Sequence, residues 1–569
     1  MKPELTDSRR LTGANLHWDH PSAIIDMAAK GNLEPFLRAW QDAAKILLNG
    51  VGYSGEGTCY RLFEGGASLL ISAPIDVLYS MCELNEAAFN AVAAESAPPT
   101  EEYLKADIER LKNLFEAESA PALLALQAAA REHGLPFLWD DDEVSIGFGK
   151  GATVWPRSQL PAVEDLDWST FSSIPLALVS GTNGKSTTVR MTASIMTAAG
   201  HRAGLTSTDF IRVADRIIDT GDYSGTGGAR TLMRQPDVEM AVLEVARGGL
   251  LRRGLGVDHA QAALVTNVAS DHLGEYGIHS VDELIPAKFI VRRALHHNDP
   301  LILNADDEGI RAYASGLNQR LFWFSLDAEN TVIRKHVADD GQAAWLNGDW
   351  LVAAGGKGPA AGEREVANVK TIPVTRNGIV RYNISNALGA MSIALALGLP
   401  DEAIRQGLAA FRGDEQDNPG RGNWFERNGI RILVDFAHNE HGMRALADVV
   451  KRTDAERVVL LIGQAGDRRD RDIEDFTRAA CSIRPDQLLV CNFEGYERGR
   501  EPFAVAKLMC DYAQMAGIAA EAIELLPSPV EATRLALRQA RPGDLLVLLT
   551  LAQRNESLAL IHEFLEDNG

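Results

Sequence analysis

Apolar residues in this chain cluster in short uninterrupted runs, and the length and spacing of those runs predict where strands and helices fall. Runs at 176–180, 240–243, 262–266 and 300–303 predict buried strands, with helical periodicity between or after them. That alternation predicts a mostly parallel sheet covered on both faces. A second set, 430–434, 457–461, 487–490 and 545–549, is also separated by helical stretches and predicts a smaller α/β unit, the size of one nucleotide-binding half. Before both lies a mixed block, helical at 34–48 and 101–117 and strand-like at 59–63 and 67–71. Ser96, Ala97, Pro98 and Pro99 interrupt it. Residues 156–161 lead through an acidic, polar connector at 163–173 into the first strand of the central set. Hairpins are expected about 345–351, and Gly355, Gly356, Lys357, Gly358 and Pro359 read as an exposed loop. The predicted fold class is α/β in three domains: an α+β domain over 1–165, a central parallel-sheet domain over 170–412 and a C-terminal Rossmann-like domain over 413–569.

Composition narrows the function classes. A chain of 569 residues has room for several domains at about 150 residues each. With 46% apolar and 24% charged residues it reads as an ordinary soluble globular protein. A formal charge of -22 argues against nucleic-acid binding, which needs a basic footprint. The five cysteines are odd in number and widely spaced, without a C-x-x-C pair. They predict neither a disulfide framework nor a zinc site, and they suit a reducing compartment. No apolar leader or membrane-length run is seen, so the expectation is a cytoplasmic enzyme.

The chemistry concentrates after the run 176–180. Gly181, Thr182, Asn183, Gly184, Lys185, Ser186 and Thr187 follow that strand and open a helical pattern. Strand, glycine turn, lysine, hydroxyl and helix together predict a phosphate cradle, with Lys185 reaching the β/γ-phosphates and Ser186 on Mg²⁺. Val179 stands where the longer G-x-x-x-x-G-K-[ST] pattern has its first glycine. Glu244 ends the run 240–243 and is placed to hold Mg²⁺ directly or through water. Arg247 and Arg252 either hold a substrate carboxylate or stay solvated. Asp271 and His272 follow a further strand, and Lys288 lies inside a helical pattern at 283–294.

The form G-T-N-G-K-[ST]-[ST], the Asp271–His272 pair and the downstream Lys288 resemble the Mur ligase family, ATP-dependent enzymes that join a carboxylate to an amine. The resemblance implies two Mg²⁺ ions, the second near His272 and near Lys288, which is carbamylated in many members. It extends to Asn304, Ala305, Asp306 and Asp307 and to the segment of Tyr382, Asn383 and Asn386, whose Asn386 it places on the adenine side. It also covers Asn418, Pro419, Gly420 and Arg421, with Arg421 on the phosphates, and Asp435, Phe436, Ala437, His438 and Asn439, with Asp435 on the nucleotide and His438 toward the substrate. Phe436 replaces the usual Tyr. The catalytic set implied is Lys185, Glu244, His272 and Lys288. Within the family, residues 244–252, 271–274 and 466–470 resemble the half of a two-reaction synthetase that attaches arginine to the side-chain carboxylates of an aspartate-backbone polymer. Residues 9–16 resemble its N-terminal domain, whereas the ATP-grasp domain that lies between those parts has no counterpart here. The expected reaction is amide or isopeptide formation through an acyl phosphate, between a small amino acid and a peptide or polymer acceptor. Another acceptor, such as a poly-glutamate-like chain or a cell-wall precursor, a P-loop ATPase or kinase, and a non-catalytic partner of a separate ATP-grasp protein are the alternatives. No nucleic-acid or membrane partner is expected, and a homo-oligomer is compatible with the chain.

Overall fold

The structure, a computed structural model, describes residues 3–94, 99–355 and 362–566. The interruption expected at 96–99 and the glycine loop at 355–359 therefore lie largely outside the described residues.

The N-terminal block folds around an antiparallel sheet in the spatial order Glu4–Leu11, Ser22–Ala28, Gly66–Ser72, Thr58–Phe63. Helices Glu34–Val51, Leu78–Ala93 and Glu101–Glu118 cover it. In Glu34–Val51, Leu37, Trp40, Ala44, Leu47 and Leu48 recur at helical spacing and are all buried, which turns one face onto the core. The two leading strands carry charge at alternate positions (Asp7, Arg9, Asp26) and were not expected from apolar runs. A smaller sheet, Phe137–Trp139, Glu143–Ile146 and Thr153–Pro156, completes the block.

The central sheet has eleven strands. Its middle is parallel: Ala203–Thr206, Met240–Glu244, Leu176–Ser180, Ala262–Val265, Leu301–Asn304, Leu321–Ser325 and Gln342–Asn347 lie side by side. Phe210–Val213 and Arg216–Thr220 extend one edge, and Trp350–Ala354 and Arg364–Asn368 the other, all antiparallel. The four expected strands occupy the parallel part, and the hairpin about 345–351 is present. The helical stretch expected at 283–294 differs. It is α-helical over Val281–Lys288 and tightens to a 3-10 turn over Phe289–Ala294. Pro286 lacks the N–H that would bond back one turn, which weakens the regular helix there.

The C-terminal sheet runs Asn423–Arg427, Ile430–Asp435, Asp544–Leu549, Arg457–Ile462, Gln487–Cys491, Ile523–Leu526, parallel except for the first strand. Its four inner strands are largely apolar and buried on both faces, as helix-covered parallel sheets require, while the edge strands Asn423–Arg427 and Ile523–Leu526 are partly exposed. Among the described residues no helix is long and apolar enough to cross a membrane, and the five cysteines are free. The carboxyl ends of the central strands and of Ile430–Asp435 face a common cavity of about 730 Å³.

Candidate active site

The turn after Leu176–Ser180 has no space for side chains at its glycines. Gly181 has φ +137°, and a Cβ there would meet Thr266 Oγ1 at 1.9 Å; Gly184 has φ +85°, and a Cβ would meet Asn386 Oδ1 at 2.2 Å. Only glycine suits both positions. Val179, at the place of the longer pattern's first glycine, is instead a buried strand residue paired with Glu244 and Leu264. The tight turn therefore begins two residues later. Neighbouring strand ends hold its shape. Asn183 N–H donates to Asn267 Oδ1 at 2.9 Å, Thr182 N–H to Asn267 O at 2.8 Å, and Thr266 Oγ1 to Asn183 O at 2.7 Å. Asn304 Nδ2 donates to Thr266 O at 2.9 Å, and Asp307 accepts from Val268 N–H at 2.7 Å, which gives the segment 304–307 a supporting role. Helix Lys185–Ala198 starts at this turn and aims its free N–H groups at the cavity.

Lys185 Nζ donates to Thr182 O at 2.9 Å, and Lys288 Nζ to Gly181 O at 2.8 Å, so both amines converge on one turn. Lys288 is 3% exposed. Burial pushes its amine well below the ordinary lysine value; Lys185 and Arg247 act in the same direction, and Asp271 opposes them. Ser186 Oγ lies 3.3 Å from Thr208 Oγ1, and Thr208 N–H donates to buried Glu244 at 3.3 Å. The hydroxyl and carboxylate expected to share a cation thus meet at one strand-end loop. Oxygen donors of this kind suit Mg²⁺.

Across the cavity, side-chain ligand atoms of Asp271, His272 and His438 lie within 4.8 Å of one another, and so do those of His272, Glu275 and Asp467. Burial alone would raise the Asp271 carboxyl, but His438, His272 and Arg468 outweigh it and hold it well below the usual carboxylate range. Arg468 donates to Asp271 at 2.8 Å. Arg247 lines the cavity and pairs with Glu275, its Nη1 left without a partner among the described residues. Arg252 does not line the cavity and is exposed. Five residues along one helix separate it from Arg247 by about 140° around the axis, so the two cannot face the same ligand.

The C-terminal segments reach the same space. Asn183 and Asn439 exchange side-chain amide bonds at 3.1 Å, and Asn418 Nδ2 donates to Thr187 Oγ1 at 3.1 Å. Arg421 donates to Thr208 Oγ1 at 2.8 Å and lies over the Phe436 ring. Asp435 lines the wall beside Tyr382, and burial raises its carboxyl to about 6. Asn386 holds its Oδ1 against Gly184, while Asn383 spends its amide on Val374 O. Sequence reasoning missed Thr208 and the charge cluster on Asp209, which pairs with Arg190 at 2.5 Å, Arg554 at 2.9 Å and Arg421 at 3.7 Å. The available signal was Arg190 itself, a charge set among the buried Val189, Met191 and Thr192.

A family profile of the Mur ligase middle domain matches residues 179–394, and one of the Mur ligase glutamate ligase domain matches residues 420–550. The cyanophycin synthetase of Crocosphaera subtropica is 35% identical over 340 residues, which is 60% of this chain and 38% of that protein. The chain thus spans well under half the length of this curated relative. Among solved structures, E. coli FolC in complex with DHPP and ADP has a TM-score of 0.51 at 21% identity, over 68% of this chain and 89% of FolC. A bifunctional folylpolyglutamate synthase/dihydrofolate synthase with Mn, AMPPNP and L-glutamate bound has a TM-score of 0.50 at 20% identity, over 68% of this chain and 89% of that one. These two likenesses establish the fold.

Proposed function

The chain belongs to the Mur ligase family over its central and C-terminal parts, and from that premise we propose that it is an ATP-dependent ligase joining a carboxylate to an amino-acid amine. One observation carries the reading: a phosphate-type turn, a buried lysine and C-terminal residues all face a single cavity. The relatives with ADP, AMPPNP and Mn support ATP and a divalent ion as reactants and cofactor. The proposed domain limits are 1–165, 170–412 and 413–569, and a cytoplasmic location fits the absence of a membrane-length helix among the described residues.

ATP and a carboxylate repel each other, so the site must supply positive charge before they meet. Lys185, freed from the Thr182 carbonyl, would neutralise the β/γ-phosphates, and Arg421 stands across the cavity to do the same. The glycine turn and the first residues of the helix after it line the cavity where phosphates would sit, and Ser186 with Glu244 would hold one Mg²⁺. A second would lie on His272, with Asp271, His438 and Lys288 nearby. Bound divalent ions supply charge neutralisation and orientation of the phosphates. Burial lowers the Lys288 amine well below the ordinary lysine value and so raises the share of the neutral form, the one that reacts with carbon dioxide, an environment that favours carbamylation. The substrate carboxylate takes the γ-phosphoryl group, ADP departs, and the amine displaces phosphate from the acyl phosphate. Arg421 and residues 435–438 line the cavity from the C-terminal side and would help keep water from the acyl phosphate.

The name of the relative and the resemblance of residues 244–252 point to arginine as the amine and a peptide or polymer with side-chain carboxylates as the acid. The test is a phosphate-release screen of acid–amine pairs that includes aspartate-rich peptides and arginine. Release that needs both partners supports the ligase, whereas release with ATP alone supports the ATPase reading. Lys185→Ala should lower turnover at least ~100-fold, by loss of its phosphate contact; substantial retained activity would reject the assignment of the turn.

A further inference from the structure

The loop 271–279 carries Asp271, His272 and Glu275 to the cavity, yet its own backbone is poorly suited to hold that shape. His272 has φ 50° and Tyr276 φ 52°, and Gly274 and Gly277 are also left-handed. Non-glycine residues in this region persist only where their surroundings over-determine them. Within the loop, Gly274 N–H bonds to Ile278 O at 2.7 Å and Ile278 N–H to Glu275 O at 3.1 Å. His279 N–H donates to Glu283 at 2.7 Å, and further support comes from far away in sequence. Arg61, on strand Thr58–Phe63 of the N-terminal sheet, donates Nη1 to Gly277 O and Nη2 to Tyr276 O, each at 2.9 Å. Its side chain is 19% exposed, with Glu283 3.9 Å away. Phe63, two residues on, stacks on His279 and fills the space where a Cβ at Gly277 would stand. Arg9, on the opposite edge strand Glu4–Leu11, places its guanidinium 4.9 Å from the Tyr276 ring and donates to Leu251 O at 3.2 Å.

Leu251 belongs to helix Arg247–Arg253, and Arg247 pairs with Glu275. The N-terminal sheet therefore grips both partners of this pair, one through the helix and the other through the loop. Two charge-assisted bonds from a single planar fork, to successive carbonyls, fix the loop's direction more tightly than one bond would.

We propose that Arg61 is a positioning residue: from the N-terminal sheet it sets the loop that presents His272 and Glu275, and so the divalent-cation affinity of that side of the cavity. The proposal rests on the ligase reading for its cation and on geometry alone for the clamp. Arg61→Ala in the full chain tests both. Hydrogen exchange at 272–279 should accelerate about tenfold, reflecting two lost charge-assisted bonds, while exchange in the central strands stays as in the unaltered protein. Mn²⁺ binding, followed by electron paramagnetic resonance in the presence of ADP, should weaken several-fold. Unchanged loop exchange in a folded variant overturns the clamp, and faster exchange with unchanged Mn²⁺ affinity overturns its link to the cation. Arg61→Lys keeps the charge and loses the fork; it should fall between the two and serves if Arg61→Ala does not fold. If the unaltered protein binds no Mn²⁺, the ligase reading fails and the exchange comparison still decides the clamp.

Discussion

At the scale of single residues, local motifs carried most of the information. Lys185, Ser186, Glu244, His272, Lys288, Asn386, Arg421, Asp435 and His438 all line one cavity, and Lys185, Ser186, Glu244, Asp435 and His438 stand at or next to the end of a strand or the start of a helix. Arg252 falls outside that cavity for a geometric reason, the turn of its own helix. Thr208, Asp209 and Arg554 left no local trace, since their meaning arises only where segments far apart in the chain touch, and Arg190 showed only as a charge among buried neighbours. Asp435 gives a pH-dependent test. Its carboxyl is raised from 3.8 to about 6 in the fold, so the folded state binds the proton more tightly than the unfolded one. The group's stabilising contribution is complete below pH 3.8 and is lost as pH rises to about 6. Thermal melts of Asp435→Asn should therefore gain on the unaltered protein between pH 4 and about 6.5, then run parallel. A constant difference across that range would contradict the assigned environment.

Among the elements, continuous apolar runs identified the buried parallel strands, and the missed ones share a physical cause. Ala203–Thr206 is a buried strand of only four residues, too short a run to stand out, and Phe210–Val213 and Arg216–Thr220 are interrupted by charge toward the sheet's edge. Glu4–Leu11 and Ser22–Ala28 carry charge inside the N-terminal sheet, as in the buried Arg9–Asp26 pair at 2.6 Å, which breaks up their apolar signal. The phosphate-type turn was legible because its glycines are required by space as well as by dihedral angle. Gly184→Ala should destabilise the fold by about 1–3 kcal/mol through left-handed strain, and the contact with Asn386 adds to that. Nucleotide affinity should fall in parallel. Adding Asn386→Ala should recover the contact and leave the strain, so a partial rise in melting temperature is expected. Full recovery would mean that the dihedral angle costs nothing.

For the whole molecule, the sequence divided the chain into blocks but said nothing of how the blocks touch. The central and C-terminal sheets meet through two different kinds of contact. One is ionic: Asp209 lies among Arg190, Arg421 and Arg554, which come from both sides of the junction. Arg554→Met removes the arginine furthest along the chain and leaves Asp209 its buried partner Arg190. The stability cost should be about 1 kcal/mol. Small-angle scattering of the nucleotide-free protein should nevertheless show a broader distribution of interdomain distances, and an identical profile would show that the pair does not hold the sheets together.

The other contact is the reciprocal amide pair of Asn183 and Asn439. Uncharged partners are not screened by dissolved salt, whereas the arginine cluster weakens as ions accumulate around it. Brine should therefore weaken the ionic contacts, the Arg468–Asp271 pair included, more than the amide pair, so that the asparagines become the pivot about which the C-terminal lobe shifts.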